Sequence, residues 1–204
     1  MYFVILSVPH LFLNHTMLTP TEILKWKSEI PYISENRLKN SFKTCFKTTD
    51  DSSIQWLQYR ILHRILATNS YLKKINITSS DLCSLCNTEI ETISHVFLFC
   101  PFTLPIWNAF SCLIYNKISK RIGFSIENVI FGEESNIKNI AINFIILNAK
   151  DYIFKCFKKK KHPSLHELLV HLKFKIDVEK CVAFRKQKSR KFNEIWREWL
   201  YVFD

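Results

Sequence analysis

Eighteen residues near the middle of this 204-residue chain constrain it more than any other stretch. They run Cys83-Ser-Leu-Cys86-Asn-Thr-Glu-Ile-Glu-Thr-Ile-Ser-His95-Val-Phe-Leu-Phe-Cys100, a C-x2-C-x8-H-x4-C pattern followed by Pro101. Three thiolates and one imidazole form a complete tetrahedral set for Zn2+, which favours nitrogen and sulfur ligands and in structural sites keeps no position open. A C-x2-C turn aims two sulfurs at one ion. The arm after it, with Asn87 at a turn and Thr92 as the N-cap of a short helix, brings His95 back across that ion. Cys100 follows His95 by five positions, about 140° away around a continuous helix, so the helix must end or turn for both to reach one metal. Pro101 supplies the reason, because the residue before a proline is pushed out of the α region. The competing reading is a set of buried free cysteines beside a core histidine. A closed Cys3His set also points away from catalysis at the metal, since hydrolytic zinc keeps a position for water.

Beyond this segment the 7 cysteines are odd in number and scattered, which fits a reducing compartment, nuclear or cytoplasmic, and not a disulfide framework. Cys45, Cys112, Cys156 and Cys181 sit in helical patterns and are expected as small core residues. With only 2 glycines, phosphate-cradling loops have no raw material and nucleotide-fold enzymes are poor candidates. A hydrophobic content of 48% excludes disorder over most of the chain. The charge of +11 favours a polyanionic partner such as nucleic acid. Met1 to Leu13 is apolar but has no basic flank, and reads as a core-packing segment instead of a signal peptide. No stretch reaches 18 apolar residues, so no membrane span is expected; Ile140 to Leu147, interrupted by Asn143, reads as a buried helix.

The expected fold is mainly α, a helical array around a small Cys3His zinc-stapled turn-helix segment. Residues 1–33 form a poorly defined N-terminal segment, 34–120 a zinc-binding helical domain and 121–204 a basic helical C-terminal region. Thr21 precedes a helix to Glu29, and Ser34 to Phe46 carries Leu38, Phe42 and Cys45 on one face. In Ile54 to Leu66, Ile54, Leu57, Ile61, Leu62 and Ile65 share a face opposite Trp56, Arg60, His63 and Arg64. That outer face either touches nucleic acid or is an ordinary surface on which Trp56 packs and the arginines are solvated. Leu104, Trp107, Phe110 and Leu113 mark a further helix. Another, from about 136 to 158, ends in Lys158, Lys159, Lys160 and Lys161. Ser164 with Glu167 reads as a capping box before Leu165, Leu168, Leu172 and Ile176. A last helix carries Phe192, Trp196, Trp199 and Leu200. Basic residues far outnumber acids from Lys150 onward. Lys158 to Lys161, Arg185, Lys186, Lys188, Arg190 and Lys191, interleaved with Phe184, Phe192 and Trp196, suit phosphate contacts and stacking on RNA or single-stranded DNA. The alternative is a tail of hydrated lysines.

The order of elements carries a resemblance. Trp56-Leu-Gln-Tyr59-Arg60-Ile-Leu62-His63-Arg64, then Leu82-Cys83-Ser-Leu-Cys86, then Glu91-Thr92-Ile-Ser-His95 and Cys100-Pro101, and finally Trp107, resemble the zinc-binding region C-terminal to the reverse transcriptase of non-LTR, LINE-type retrotransposons. Ile130-Phe131-Gly132 and Asn148-Ala-Lys150-Asp-Tyr152-Ile153 resemble the tail of such polyproteins. The eight-residue arm is longer than the four residues of the short retroviral knuckle. The resemblance implies Zn2+ held by Cys83, Cys86, His95 and Cys100, in a non-catalytic module that holds template RNA or target DNA and works with a parent or separate reverse transcriptase. The other class in play is a zinc-stapled structural or protein-interaction module. An enzyme is not expected: Asp50-Asp51 lacks the strand hairpin that positions polymerase aspartates, and no proline is followed by the aspartate of a restriction-like nuclease.

Overall fold

A computed structural model describes residues 19–134 and 136–203; the expected core-packing role of Met1 to Leu13 lies outside them. Among the described residues the elements are helices and helical turns, with one isolated antiparallel bridge between Leu82 and Ile90. No helix among them is long and apolar enough to cross a membrane.

The first helix, α1 (Pro20–Glu29), starts two residues earlier than Thr21 suggests. Thr19 is its cap: the hydroxyl accepts from Glu22 N and the Glu22 carboxylate accepts from Thr19 N at 2.7 Å, a reciprocal capping box. In α2 (Glu35–Thr48), capped by Ser34, the buried positions include Leu38, Phe42 and Cys45. Asp51 caps α3 (Ser52–Leu62) by accepting from Ser53 N at 2.9 Å, the helix-entry role its polar surroundings predict. The end of α3 differs from expectation. Trp26 Nε1, fully buried, donates to the Leu62 carbonyl at 2.9 Å, and Arg64 takes a left-handed φ of 56°, so the helix stops four residues short of Leu66. Ile65, placed by periodicity on the apolar face, is therefore 38% exposed.

After α4 (Asn69–Lys74) and the cysteine segment comes α5 (Leu104–Ile118), where Ile106, Trp107, Phe110 and Ile114 are buried. Leu104 is exposed instead, because a strict three-residue spacing drifts off a 3.6-residue helix. A short α6 (Ile126–Phe131) ends at Gly132, whose φ is 78°. A Cβ there would stand 2.9 Å from Asn143 Oδ1, so glycine is required for the loop to approach.

The centre of the fold is α7 (Ile140–Lys158), entered through a 3-10 turn and buried nearly all round. It packs on α2, α3 and the residues from His95, and on α8 (Leu165–Arg185) and α9 (Ser189–Trp196). Two of its polar residues bridge to neighbouring segments within the interior. Asn143 clamps the Glu133 backbone through both amide atoms. The Lys150 ammonium, entirely buried, donates to Gln58 Oε1 at 2.5 Å and to the Ile130 carbonyl at 3.3 Å, and burial pushes its pKa down to about 7.

Ser164 caps α8 by accepting from Glu167 N, but the reciprocal bond is replaced: Ser164 N donates to Tyr152 Oη, while Glu167 receives Lys161. Leu168, Leu172 and Ile176 face inward; Val170, Phe174, Val178 and Phe184 point out. Cys181 on the outer face of α8 and Cys112 on that of α5 are exposed, contrary to the core role expected of them, whereas Cys45 and Cys156 are buried. Trp196 ends α9 and Trp199 begins a separate 3-10 turn, both buried. One cluster of buried side chains runs from Trp26 to Val202, crossing the 33/34 and 120/121 divisions.

Candidate metal centre and basic clusters

The side-chain donors of Cys83, Cys86, His95 and Cys100 lie within 4.8 Å of one another. Three local devices gather them. Cys83 N donates to the Glu89 carbonyl at 2.8 Å and Asn87 N to the Cys83 carbonyl at 3.0 Å. Asn87, in a left-handed conformation with φ 56°, closes this tight turn. Thr92 accepts from His95 N at 3.0 Å and starts the returning segment. His95–Phe99 then forms a π-helical turn with Cys100 N donating to the His95 carbonyl at 2.8 Å. A π turn carries residue i+5 back over residue i, which removes the 140° offset of an α-helix. Cys100 itself is extended, φ −60° and ψ 133°, as its place before Pro101 predicts.

With metal–sulfur bonds near 2.3 Å and metal–nitrogen bonds near 2.0 Å, a tetrahedral ion sets sulfurs about 3.8 Å apart and sulfur about 3.5 Å from nitrogen. Cys83 and Cys100 sulfurs are 3.9 Å apart, and Cys86 Sγ is 3.5 Å from His95 Nε2. The donor set therefore fits a tetrahedral ion of the zinc type. Its electrostatics are prepared by backbone amides: Leu85 N and Cys86 N point at Cys83 Sγ from 3.4 and 3.5 Å. Burial nonetheless pushes the Cys83 thiol up to about 12 and raises that of Cys100. Desolvation acts on Cys86 in the same sense but is overcome by hydrogen bonds from the Thr88 side chain and the Thr88 and Glu89 amides, which bring it down to about 6. One sulfur is thus ready as thiolate, and a cation would draw the protons from the other two.

A buried carboxylate holds this segment to its neighbours. Glu91 accepts from Ser84 N (2.7 Å) and Ser84 Oγ (2.6 Å) beside the first ligand, and from Asn69 N (2.8 Å) at the start of α4. Trp107 Nε1 donates to the Phe97 carbonyl at 2.6 Å and Thr103 to the Val96 carbonyl at 3.1 Å, satisfying the π turn from α5. Glu29 of α1 receives Ser94 on one side and Arg64 on the other. The interior position of Glu91 follows from the folded turn, and nothing in its spacing from the cysteines announces it.

The expected contact residues fall into three groups. His63 and Arg64 turn toward α1: His63 Nδ1 lies 2.8 Å from Glu22, and Arg64 pairs with Glu29 at 2.5 Å while lying 4.1 Å over the Trp26 ring. Trp56, Arg60 and Lys158 come together through Phe154, which sequence reasoning missed. The Arg60 guanidinium carbon is 5.6 Å from the Trp56 ring and 5.9 Å from that of Phe154, and Lys158 Nζ is 5.3 Å from the same phenyl. Lys158 also donates to the Ala67 carbonyl and Lys161 pairs with Glu167, while Lys159 and Lys160 are exposed. The third group, at the other end of α8, about 30 Å away by helix length, comprises exposed Arg185, Lys188, Arg190 and Lys191 with Lys186, which pairs with Asp50 at 2.8 Å.

Helices enclosing a closed, N/S-only donor set define a helical metal-binding protein. Residues 25–107 match the family described as zinc-binding in reverse transcriptase. None of the curated proteins compared with the chain matches it.

Proposed function

We propose that the chain is a non-catalytic module of retrotransposon reverse-transcriptase origin that binds Zn2+ at Cys83, Cys86, His95 and Cys100 and uses the rigid surface so formed to hold RNA or target DNA. Bound zinc supplies cross-linking and folding energy, on the order of 10 kcal/mol for structural sites. Its working partner is a reverse transcriptase, parent or separate, and the free thiols suit a reducing compartment, nucleus or cytoplasm.

One observation supports the nucleic-acid reading above others. Arg60 is half-buried between two aromatic rings; its Nε has no hydrogen-bond partner, and no carboxylate pairs with it among the described residues. A desolvated guanidinium without an acid suits a phosphate oxygen, and Trp56, stacked on Tyr59 beside it, adds an aromatic edge to this basic surface. From Lys150 to Asp204 fifteen basic residues stand against seven acidic ones, which adds long-range attraction. Binding of generic single-stranded RNA across a salt series tests this: log K should fall linearly with log salt, and Arg60→Gln with Lys158→Gln should weaken binding and flatten the slope. No binding at low salt overturns it.

A second reading has its own observation. Val170, Phe174 and Val178 recur every four residues on the outer face of α8, with Phe184 beyond them, all exposed. Such a stripe fits a protein partner, and RNA binding unaffected by Phe174→Ser alongside loss of a protein complex would favour this interaction module.

A further inference from the structure

A cleft of about 190 Å3 opens where the C-terminal ends of α2 and α8 meet the N-terminal end of α7 and α9. Its floor is apolar, with Phe144 and Trp196 edge to face at 5.3 Å. Its rim is mostly cationic: Lys47, Lys188 and Lys191 line it together with Lys186, which pairs with Asp50 at 2.8 Å. Glu179 lines it as well, forming no hydrogen bond or ion pair among the described residues. Burial, joined by the neighbouring charge of Asp50, raises its carboxyl pKa, with Lys186 acting the other way.

We infer that this cleft takes a single unpaired nucleobase bearing an exocyclic amino group, with the adjoining phosphates on the lysine rim and the amino group donating to Glu179. This rests on the nucleic-acid reading above and adds to it a place where a base is read. Pockets for whole drug-sized ligands measure about 300 Å3 or more, so the space suits a base and leaves ribose and phosphate outside among the ammonium groups. Apolar and aromatic walls accept any base face. The carboxylate discriminates, because it accepts from the amino group of cytosine but faces a carbonyl oxygen in uracil. A base in a duplex has both faces covered, so the ligand is a single strand.

Cytidine and uridine monophosphates titrated into the wild-type protein, with the methyl resonances of Val182 and Ile195 as readout, give a direct test. CMP should shift both at concentrations roughly tenfold below UMP, the discrimination of one well-placed polar contact to a base. Glu179→Gln should keep CMP shifts but bring the two nucleotides level. Ala183→Leu, which fills the cleft, should abolish them. Short oligo(C) should bind wild type more tightly than Ala183→Leu, with an unchanged salt slope in both. Absent methyl shifts, or equal shifts from CMP and UMP in the wild type, overturn the base pocket. Failure of oligonucleotide binding at low salt overturns the proposed function instead, and does so independently of the methyl readout.

Discussion

The cysteine segment, 81–103, and helix α7 are packed against each other yet hold their shape by different means. Residues of α7 are fixed by apolar contacts on nearly every side: Ile145, Ala149 and Ile153 are wholly buried. Asn143 and Lys150 find their partners within the interior, and Asn148 donates to the Phe144 carbonyl while its Oδ1 has no partner among the described residues. The cysteine segment has little repetitive backbone bonding, only an isolated bridge and one π turn, and relies on a buried carboxylate and four convergent donors. Hydrophobic burial needs no cofactor, whereas a ring of thiols in a desolvated pocket is unfavourable until a cation compensates it.

The largest test of this contrast is metal removal. Chelation, or Cys83→Ser, should abolish hydrogen-exchange protection across 81–103, a loss on the order of 10 kcal/mol for a structural zinc, while α7 and α8 stay helical by circular dichroism. Protection that survives complete demetallation breaks the comparison. Next, Ile153→Ala should cost about 2–5 kcal/mol in urea melts, and the same whether or not chelator is present; a cost that vanishes on chelation would show that the two regions melt as one unit. Third, Glu91→Ala leaves the Ser84 and Asn69 amides unpaired and should cost about 1–3 kcal/mol with roughly 10- to 100-fold weaker zinc affinity. Glu91→Gln should recover part of both losses.

The effect that is smallest per step of the variable concerns the one buried charge of α7. The Lys150 amine has its folded pKa lowered from 10.5 to about 7. Above pH 10.5 it is neutral in both states and its burial is least costly. As pH falls toward 7 the unfolded chain takes up a proton that the folded one does not, so stability should decline by up to about 1.4 kcal/mol per pH unit, then level off below 7. Lys150→Met should remove this part of the slope, measured as the difference between variant and wild-type denaturation midpoints from pH 7 to 10. Parallel slopes would show that the ammonium is solvated.

The helices of α2, α7 and α8 were readable because apolar spacing of three and four persists over several turns, and the ligand set was readable because its chemistry is local to eighteen residues. The early stop of α3 was not: it depends on Trp26, thirty-six residues upstream, taking the Leu62 carbonyl. Periodicity along Ile54 to Leu66 carries no trace of that partner. Arg60 could be assigned to an outer face, but its seat between two rings needs Phe154, far away in sequence. Cys112 and Cys181 misled for the reverse reason, since a small apolar residue in a helical pattern does not announce which side of the helix it occupies.

The π turn also makes the two intervals of the metal motif unequal in how far they tolerate length change. Between Cys86 and His95 the chain is exposed at Asn87, Thr88, Glu89 and Ile90, but the Glu89 carbonyl receives Cys83 N and Ile90 bridges Leu82, so added length is accommodated only after Ile90. Between His95 and Cys100 the π turn lets five positions do what four do in an α-helix. Deleting one of the four intervening residues would leave the two ligands at i and i+4, still on one helix face, whereas adding one would carry Cys100 off that face. Related chains that preserve this architecture should therefore shorten the second gap by one residue more readily than lengthen it.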